Sequence, residues 1–322
     1  MRYLLIANPI SGPKKDSAQL LRNITSEITG AGHKVTLETT KYEGHGYELS
    51  KQAIGKGYDA IVAIGGDGTV NEIARALIDT DETLGIIPNG SGNGLARELW
   101  MPMEPLAAVK SLLHHSVITI DTCVANGDPF FVTCGIGFDG KISKEFASSD
   151  SRGMTTYARE TLNQYFNYTP NDYRLLIDGK EVKARAFLIA IANASQYGNN
   201  AFIAPGASMV DGVLDVTIIK DFPKISVGII ALQLFSKEIH NSEYVAQYKG
   251  KKIEIIADEP VNYHIDGEAK DKTKRLAIMV HPSSLKVIKG REEDREKTVF
   301  DFFRTITNSV MEFTDDMHEI FK

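Results

Sequence analysis

Residues 65–72 read Gly-Gly-Asp-Gly-Thr-Val-Asn-Glu, between the apolar run DAIVAI and the helix-period segment IARALID. Glycines at 65, 66 and 68 permit positive φ and let a ligand approach the backbone closely. The loop feeds a helix N-terminus, where backbone amides and the helix dipole together favour an anion. Thr69 and Glu72 have the S/T-x-x-E spacing of a capping box that would open this helix. Phosphate binding is the chemistry such a loop suits. It is not a P-loop, since no Gly-Lys-Ser/Thr follows, and it is not a G-x-G-x-x-G dinucleotide fingerprint. A tight βα turn with a structural aspartate accounts for the same residue types.

The pattern recurs twice. LLIANPISGPKKD carries Asn8, Pro9 and Gly12 between a strand and a helix, and LGIIPNGSGNGLAREL carries Gly90, Ser91, Gly92 and Asn93 in the same position. Three such loops at one sheet edge would cradle a polyphosphate, with Ser91 and Asn93 offering side-chain hydrogen bonds. Lys14 and Lys15 follow the first loop and read as solvated.

The elements that must position these loops are legible in the periodicity. Up to about residue 120, short apolar runs (YLLIAN, KVTLETT, DAIVAI, LGIIP) alternate with helical segments at 16–30, 46–56, 69–79, 94–99 and 104–115. This rhythm predicts a parallel sheet with helices on both faces and ligand loops at its carboxyl edge. From about 118 to 290 the texture is strand and turn, with helices expected only at 154–167 and 223–238, and DGK at 178–180 reads as a tight hairpin. The expectation is an α/β nucleotide-binding domain over 1–120 and an antiparallel β-rich domain over 121–290.

Composition sets the class. The chain has 322 residues, 43% hydrophobic and 24% charged, with a formal net charge of −6. That offers no basic field for nucleic acid. Cys123 and Cys134, without a CxxC or paired histidines, argue against a zinc site or a disulfide framework and suit a reducing cytoplasm. The opening apolar run is too short for a signal peptide. No run has the length of a membrane helix. His33, His45, His114, His115, His264 and His281 are scattered and read as structural or exposed.

NPISG at 8–12, GGDGTVNE at 65–72, PNGSGNGLAREL at 88–99, APGASMVDGVLDV at 204–216 and IDGE at 265–268 occur in the order and spacing of the diacylglycerol kinase catalytic-domain family of lipid kinases, to which sphingosine and ceramide kinases are related. The chain resembles that family over about residues 1–290. GGDGT alone is shared with NAD kinases. The resemblance implies a Rossmann-like N-terminal domain, a β-sandwich C-terminal domain, and ATP- and Mg²⁺-dependent phosphorylation of a lipid hydroxyl. By position, Asn8, Thr40, Gly65, Gly66, Asp67, Gly68, Thr69, Val70, Asn71, Glu72, Gly90, Ser91 and Asn93 would line the nucleotide. Asp67 is similar to the aspartate that organises Mg²⁺ and phosphate. Glu268 matches the carboxylate that takes the proton of the acceptor hydroxyl, although residue type alone reads it as an exposed strand-start carboxylate. Asp211, with the carbonyls of Ser208 and Val213, matches a structural Mg²⁺ site.

Gly94 stands where many bacterial members have an acid, and Gly-Ser-Gly-Asn is closer to the sphingoid-base and ceramide kinases. YGNNAF at 197–202 departs from the usual glycine cluster. Asp139 is either a turn aspartate or a partner for a sphingoid amine. An NAD kinase and a non-catalytic nucleotide-binding scaffold are the other classes that share these loops. A lipid substrate implies peripheral membrane contact, at the inner face of the membrane. In 291–322, beyond the resemblance, apolar residues from Val299 to Ile320 alternate spacings of four and three on one helix. That helix, 296–321, either docks on the chain's own N-terminal domain or pairs two copies into a homodimer. Light scattering on a chain lacking 296–322 separates the two, since only the second predicts a lower mass. Nine acids against five bases in 291–322 oppose its binding to an anionic membrane.

Overall fold

The computed structural model describes residues 1–12, 17–114, 116–141, 143 and 168–294. Four short strands, β1 (Arg2–Ala7), β2 (Lys34–Thr39), β3 (Ala60–Gly65) and β4 (Thr83–Pro88), pair in parallel in the order β2-β1-β3-β4. Every residue of β3 is buried, as expected for an inner strand covered on both faces. Helices α1 (Ser17–Gly30), α2 (His45–Ala53), α3 (Asp67–Leu77), α4 (Gly94–Glu98) and α5 (Pro105–Leu113) connect them, with α1 packed on α5 and α2 on α3. The chain runs outward from β1 to β2 and then back across β1 to β3. The strand order therefore reverses between β1 and β3, which opens a crevice at their carboxyl ends.

The start of α3 differs from the capping-box expectation. Its N-cap is Gly66, with extended backbone and no side-chain cap, so Thr69 already lies inside the first turn. Glu72 instead serves the neighbouring helix. Its Oε1 accepts from the Gly44 amide and its Oε2 from the Gly46 amide, both at 2.9 Å, where α2 begins at a glycine that has no side chain to cap with.

The rest of the described chain is antiparallel: β5 (Ser116–Ala125), β6 (Asp128–Phe130), β7 (Thr133–Gly137), β8 (Asn171–Ile177), β9 (Lys180–Ala192), β10 (Leu214–Lys220), β11 (Val245–Gly250), β12 (Lys252–Ile265) and β13 (Glu268–Lys289), with one helix of regular length, α6 (Val227–Phe235). Asn126-Gly127, Asp178-Gly179 and Asp266-Gly267 all have positive φ, and each closes a two-residue hairpin. Left-handed backbone at both positions matches the right-handed twist of the flanking strands, so the DGK turn at 178–180 is as the sequence predicts.

β13 joins the two halves. Its first part pairs with β12, and its last part pairs antiparallel with β5 while Lys286 and Val287 pair in parallel with β4. Among the described residues, all thirteen strands thus belong to one continuous sheet. The bend falls at Ser283, where φ is 50° and the β5–β13 register shifts. Ile120, Leu285, Val287 and Ile288 lie in the same core as Leu5, Ile61 and Ile86, while Leu175, Ile191, Ile253 and Leu276 form the core of the sandwich. The expected helices at 154–167 and 296–321, and Lys14 and Lys15, lie outside the described residues. Among the described residues no helix is long and apolar enough to cross a membrane.

Candidate active site

The three glycine-bearing loops meet at the crevice between β1 and β3. The Asn8 amide donates to Ile64 O at 3.0 Å and the Asn89 amide to Gly65 O at 2.8 Å, so each loop leaves its strand hydrogen-bonded to the next. Asn89 Nδ2 donates to Ser11 O at 3.1 Å and Asn8 Nδ2 to Thr69 Oγ1 at 3.2 Å. The backbones of Gly66 and Gly90 touch: a methyl group on Gly90 would sit 2.5 Å from Gly66 Cα. No residue with a side chain fits at 90. Thr40, whose amide bonds Ala7 O at 2.9 Å, stands at the edge of the crevice, and Ser91 is exposed in it. Val70 is buried in the core behind the loop.

Asp67 fastens the loop after β3 to the loop after β4. Its Oδ2 accepts from the Asn93 amide at 2.8 Å and its Oδ1 from the Gly94 amide at 2.7 Å, at the start of α4. Burial pushes the Asp67 carboxyl up in spite of those amides and the nearby Arg97 charge. Asn93, left-handed at φ 54°, folds its side chain back onto Gly90, accepting from its amide at 3.1 Å and donating to its carbonyl at 2.8 Å. Both side chains hold the loops in shape. The Gly68 and Thr69 amides at the start of α3, lacking acceptors within the helix, can face a ligand.

The hairpin turn between β12 and β13 closes over this cradle. Asp266 is the anchor: its carboxylate accepts from the amides of Phe131 (2.9 Å), Val132 (2.8 Å) and Thr133 (3.0 Å) and from Asn71 Nδ2 of α3 (3.2 Å). The resemblance gives Asn71 as a nucleotide contact and carries Asp266 within IDGE at 265–268. In the structure the two bind each other and lash the turn to α3. Two residues on, the exposed Glu268 carboxylate hangs over the glycine loop. A methyl group on Gly68 would lie 3.9 Å from its Oε1, and Lys270 Nζ is 3.5 Å from its Oε2. A glycine-lined cradle and an accessible carboxylate therefore share one cleft.

This arrangement has known counterparts. Residues 2–125 match the diacylglycerol kinase catalytic domain, and residues 133–289 match the YegS C-terminal NAD kinase beta sandwich-like domain. The chain belongs to the diacylglycerol kinase catalytic-domain family. It is 27% identical over 275 residues to the diacylglycerol kinase of Bacillus subtilis, covering 83% of this chain and 89% of that one. To a protein of Chromohalobacter salexigens named "Probable lipid kinase YegS-like" it is 28% identical over 260 residues, 78% of this chain and 84% of the other. The solved structure of a diacylglycerol kinase from Bacillus anthracis shares the fold, with a TM-score of 0.68 at 24% identity over 90% of this chain and 97% of that one.

Against the family pattern two clusters stand out. Asp139 Oδ2 accepts from Tyr197 Oη at 2.6 Å and lies 3.0 Å from Nε2 of His264, which is 2% exposed. His264 Nδ1 in turn accepts from the Gly267 amide at 3.2 Å, within the turn that carries Glu268. His264, expected to be structural or exposed, is buried, and its place in the strand brings it to its partner. It faces Gly135 across β12 and β7, and a methyl at 135 would strike both Asp139 and His264.

The second cluster is the expected magnesium site. Ser208, Asp211 and Val213 do share one turn, whose Gly212 amide donates to buried Asp121 at 2.7 Å. The cation there is already part of the chain. Lys249 Nζ is 2.9 Å from Asp215 Oδ2, 3.5 Å from Asp211 Oδ2 and 3.4 Å from Gly206 O. The other Asp211 oxygen accepts from the Val213 amide at 3.2 Å. The donor set fits an ammonium group rather than a resident magnesium ion.

Two outcomes follow. Burial pushes Asp266 up to about 6, with the Asp67 charge acting in the same direction, against the pull of the three amides. A folded value above the unfolded one means the native state binds the proton more readily between about pH 4 and 6, so acidification through that window does not cost stability. Yet all four partners of Asp266 are donors, and a protonated carboxyl must turn a hydrogen toward one of them. Turnover is expected to fall as pH drops through about 6 while Tm holds, and a flat rate profile from pH 8 to 5 would refute this. For the lysine cluster, Lys249→Met should lower stability by about 1–3 kcal/mol at pH 7.5, and by less in acid, since burial pushes the Asp215 carboxyl up toward its neutral form. Wild-type Tm should ignore EDTA and added Mg²⁺; a rise in Tm with Mg²⁺ would return the site to the metal.

Proposed function

We propose that this protein transfers the γ-phosphate of ATP to the hydroxyl of a lipid acceptor, with Glu268 as general base. The observation that carries the reading is the position of the Glu268 carboxylate above Gly68 at the head of α3. Phosphoryl transfer asks for positioning and charge stabilisation more than covalent help. The amides of Gly66, Gly68 and Thr69 would receive the phosphates, with the Ser91 hydroxyl beside them. Asp67 and Asn93 act through the loops they fix. As Glu268 takes the proton of the acceptor, the acceptor oxygen bonds to the γ-phosphorus, the bond to the bridging oxygen breaks and ADP leaves. Mg²⁺, arriving as the nucleotide chelate, would neutralise phosphate charge. The family membership and the names of the relatives support a lipid as the acceptor.

Asp139 bears on the choice among lipids. The carboxylate that would meet a sphingoid amine already accepts from Tyr197 and adjoins His264. This favours a neutral acceptor, a glycerolipid or ceramide hydroxyl, over a free sphingoid base.

The test is transfer of labelled γ-phosphate from ATP with Mg²⁺ to dispersed diacylglycerol, monoacylglycerol, sphingosine, dihydrosphingosine and ceramide, with NAD as control. A neutral lipid should be labelled, and Glu268→Gln should lower kcat by roughly 10²–10⁴ with KM for ATP little changed. Labelled NADP with no labelled lipid would move the protein to the NAD kinases. Full activity in the Gln variant would remove Glu268 from the chemistry.

A further inference from the structure

One joint in the turn that carries Glu268 is soft. Asp266 is held by its carboxylate and by its own amide, which donates to Thr133 O at 2.8 Å, and Glu268 is already a strand residue, opposite Ile265. Gly267 lies between them. With φ of 47° at Asp266 and 83° at Gly267 the turn is of type I′. Glycine takes either sign of φ at little cost, so residue 267 does not itself fix the plane of the peptide that joins it to Asp266. The Glu268 side chain is exposed, so its aim follows from the backbone it leaves.

His264 supplies what the glycine lacks. Its Nδ1 accepts from the Gly267 amide at 3.2 Å and so pins that peptide. An Nδ1 that accepts carries no proton, which places the ring proton on Nε2. Nε2 stands 3.0 Å from Asp139 Oδ2, obliquely rather than as an aligned hydrogen bond, and the same oxygen accepts from Tyr197 Oη at 2.6 Å. The ring is buried, and Gly135 on the paired strand leaves the room in which it and Asp139 meet. The other two turns of the same type give an internal comparison. Val124 and Leu176 stand two residues before Asn126-Gly127 and Asp178-Gly179, as His264 stands before Asp266-Gly267, and neither side chain has an acceptor to offer. A buried histidine in that place is therefore not demanded by hairpin geometry.

We propose that His264 is a positioning residue for Glu268: by holding the Gly267 amide it fixes the central peptide of the turn and keeps the glutamate's carboxylate over Gly68, while Asp139 and Tyr197 hold the ring in turn. The catalytic consequence rests on the proposed role of Glu268; the fixed peptide does not, and it is read separately.

The experiment compares His264→Gln with His264→Asn in the full chain. Gln carries an amide out to the Nε2 position, beside Asp139, and puts no acceptor at the Nδ1 position; Asn puts a carbonyl oxygen at the Nδ1 position and does not reach Asp139. If His264 acts through Gly267, kcat for the lipid should fall by about 10–10²-fold in the Gln variant with KM for ATP within about twofold, and the Asn variant should recover most of that loss. A role confined to satisfying Asp139 predicts the reverse order, and that order overturns the proposal, as does full kcat in the Gln variant. In a Glu268→Gln background His264→Gln should cost nothing further, since no base is left to position; an added loss of about tenfold would place the action of His264 elsewhere and sink the proposal. Independently of any activity, hydrogen exchange of the Gly267 amide in ¹⁵N-labelled protein should be about tenfold or more faster in the Gln variant than in the wild type or the Asn variant. Unchanged exchange overturns the fixed peptide. A wild type that labels no lipid yet shows this exchange pattern counts against the proposed function and leaves the fixed peptide standing.

Discussion

Among the described residues, four donors bind the carboxylate of Asp266. Three are successive amides at 131–133, and the fourth is the Asn71 side chain on α3. A buried carboxylate without such partners would cost several kcal/mol, so the turn that carries it can occupy only the place where those donors converge. That one constraint sets the height of the β12–β13 hairpin above the glycine loops, and with it the reach of Glu268. It also ties three separate regions, the sandwich turn, the stretch between β6 and β7, and the head of α3, into one rigid corner. Cys123 and Cys134, both buried thiols, are pushed well up by that burial, with Asp266 adding to it, and are inert fillers of this corner rather than reactive groups.

The loops depend on a second constraint of a different kind. Gly66 and Gly90 bring two backbones into contact, which removes side chains from the floor of the crevice and lets helix-start amides face it. Asp67 and Asn93 then satisfy polar groups that the tight packing would leave orphaned. The floor of the crevice is therefore made of backbone, and the charged and amide side chains within its motifs are largely occupied in holding that backbone still.

The alternation of apolar runs and helix-period segments placed the parallel strands and their helices within a few residues, because inner strands must be apolar throughout and turns need Gly, Asn or Asp. What the motifs did not disclose is where side chains go once the chain folds. Glu72 sits at capping-box spacing, yet it caps α2, since Gly44 leaves that helix start bare and α2 packs on α3. Lys249 meets Asp215 because β10 and β11 pair in that register, a fact no local pattern encodes. His264 and Asp139 come together only through the pairing of β12 with β7. Local periodicity reports on local burial; contacts across strands report on register, which is decided by the whole sheet.

The route of β13 has a consequence for how the protein is made. The parallel sheet ends in β4, and the strand that covers β4 arrives from residues 286–287, roughly two hundred residues later in the chain. During synthesis the first half thus emerges with its central strands paired and one flank bare, an edge of exposed amides and carbonyls of the kind that recruits stray chains. Completion of the parallel-sheet half has to wait for the end of the sandwich. A shortened chain ending before residue 286 would inherit that open flank permanently, so the two halves, although they match separate domain families, are not separable parts.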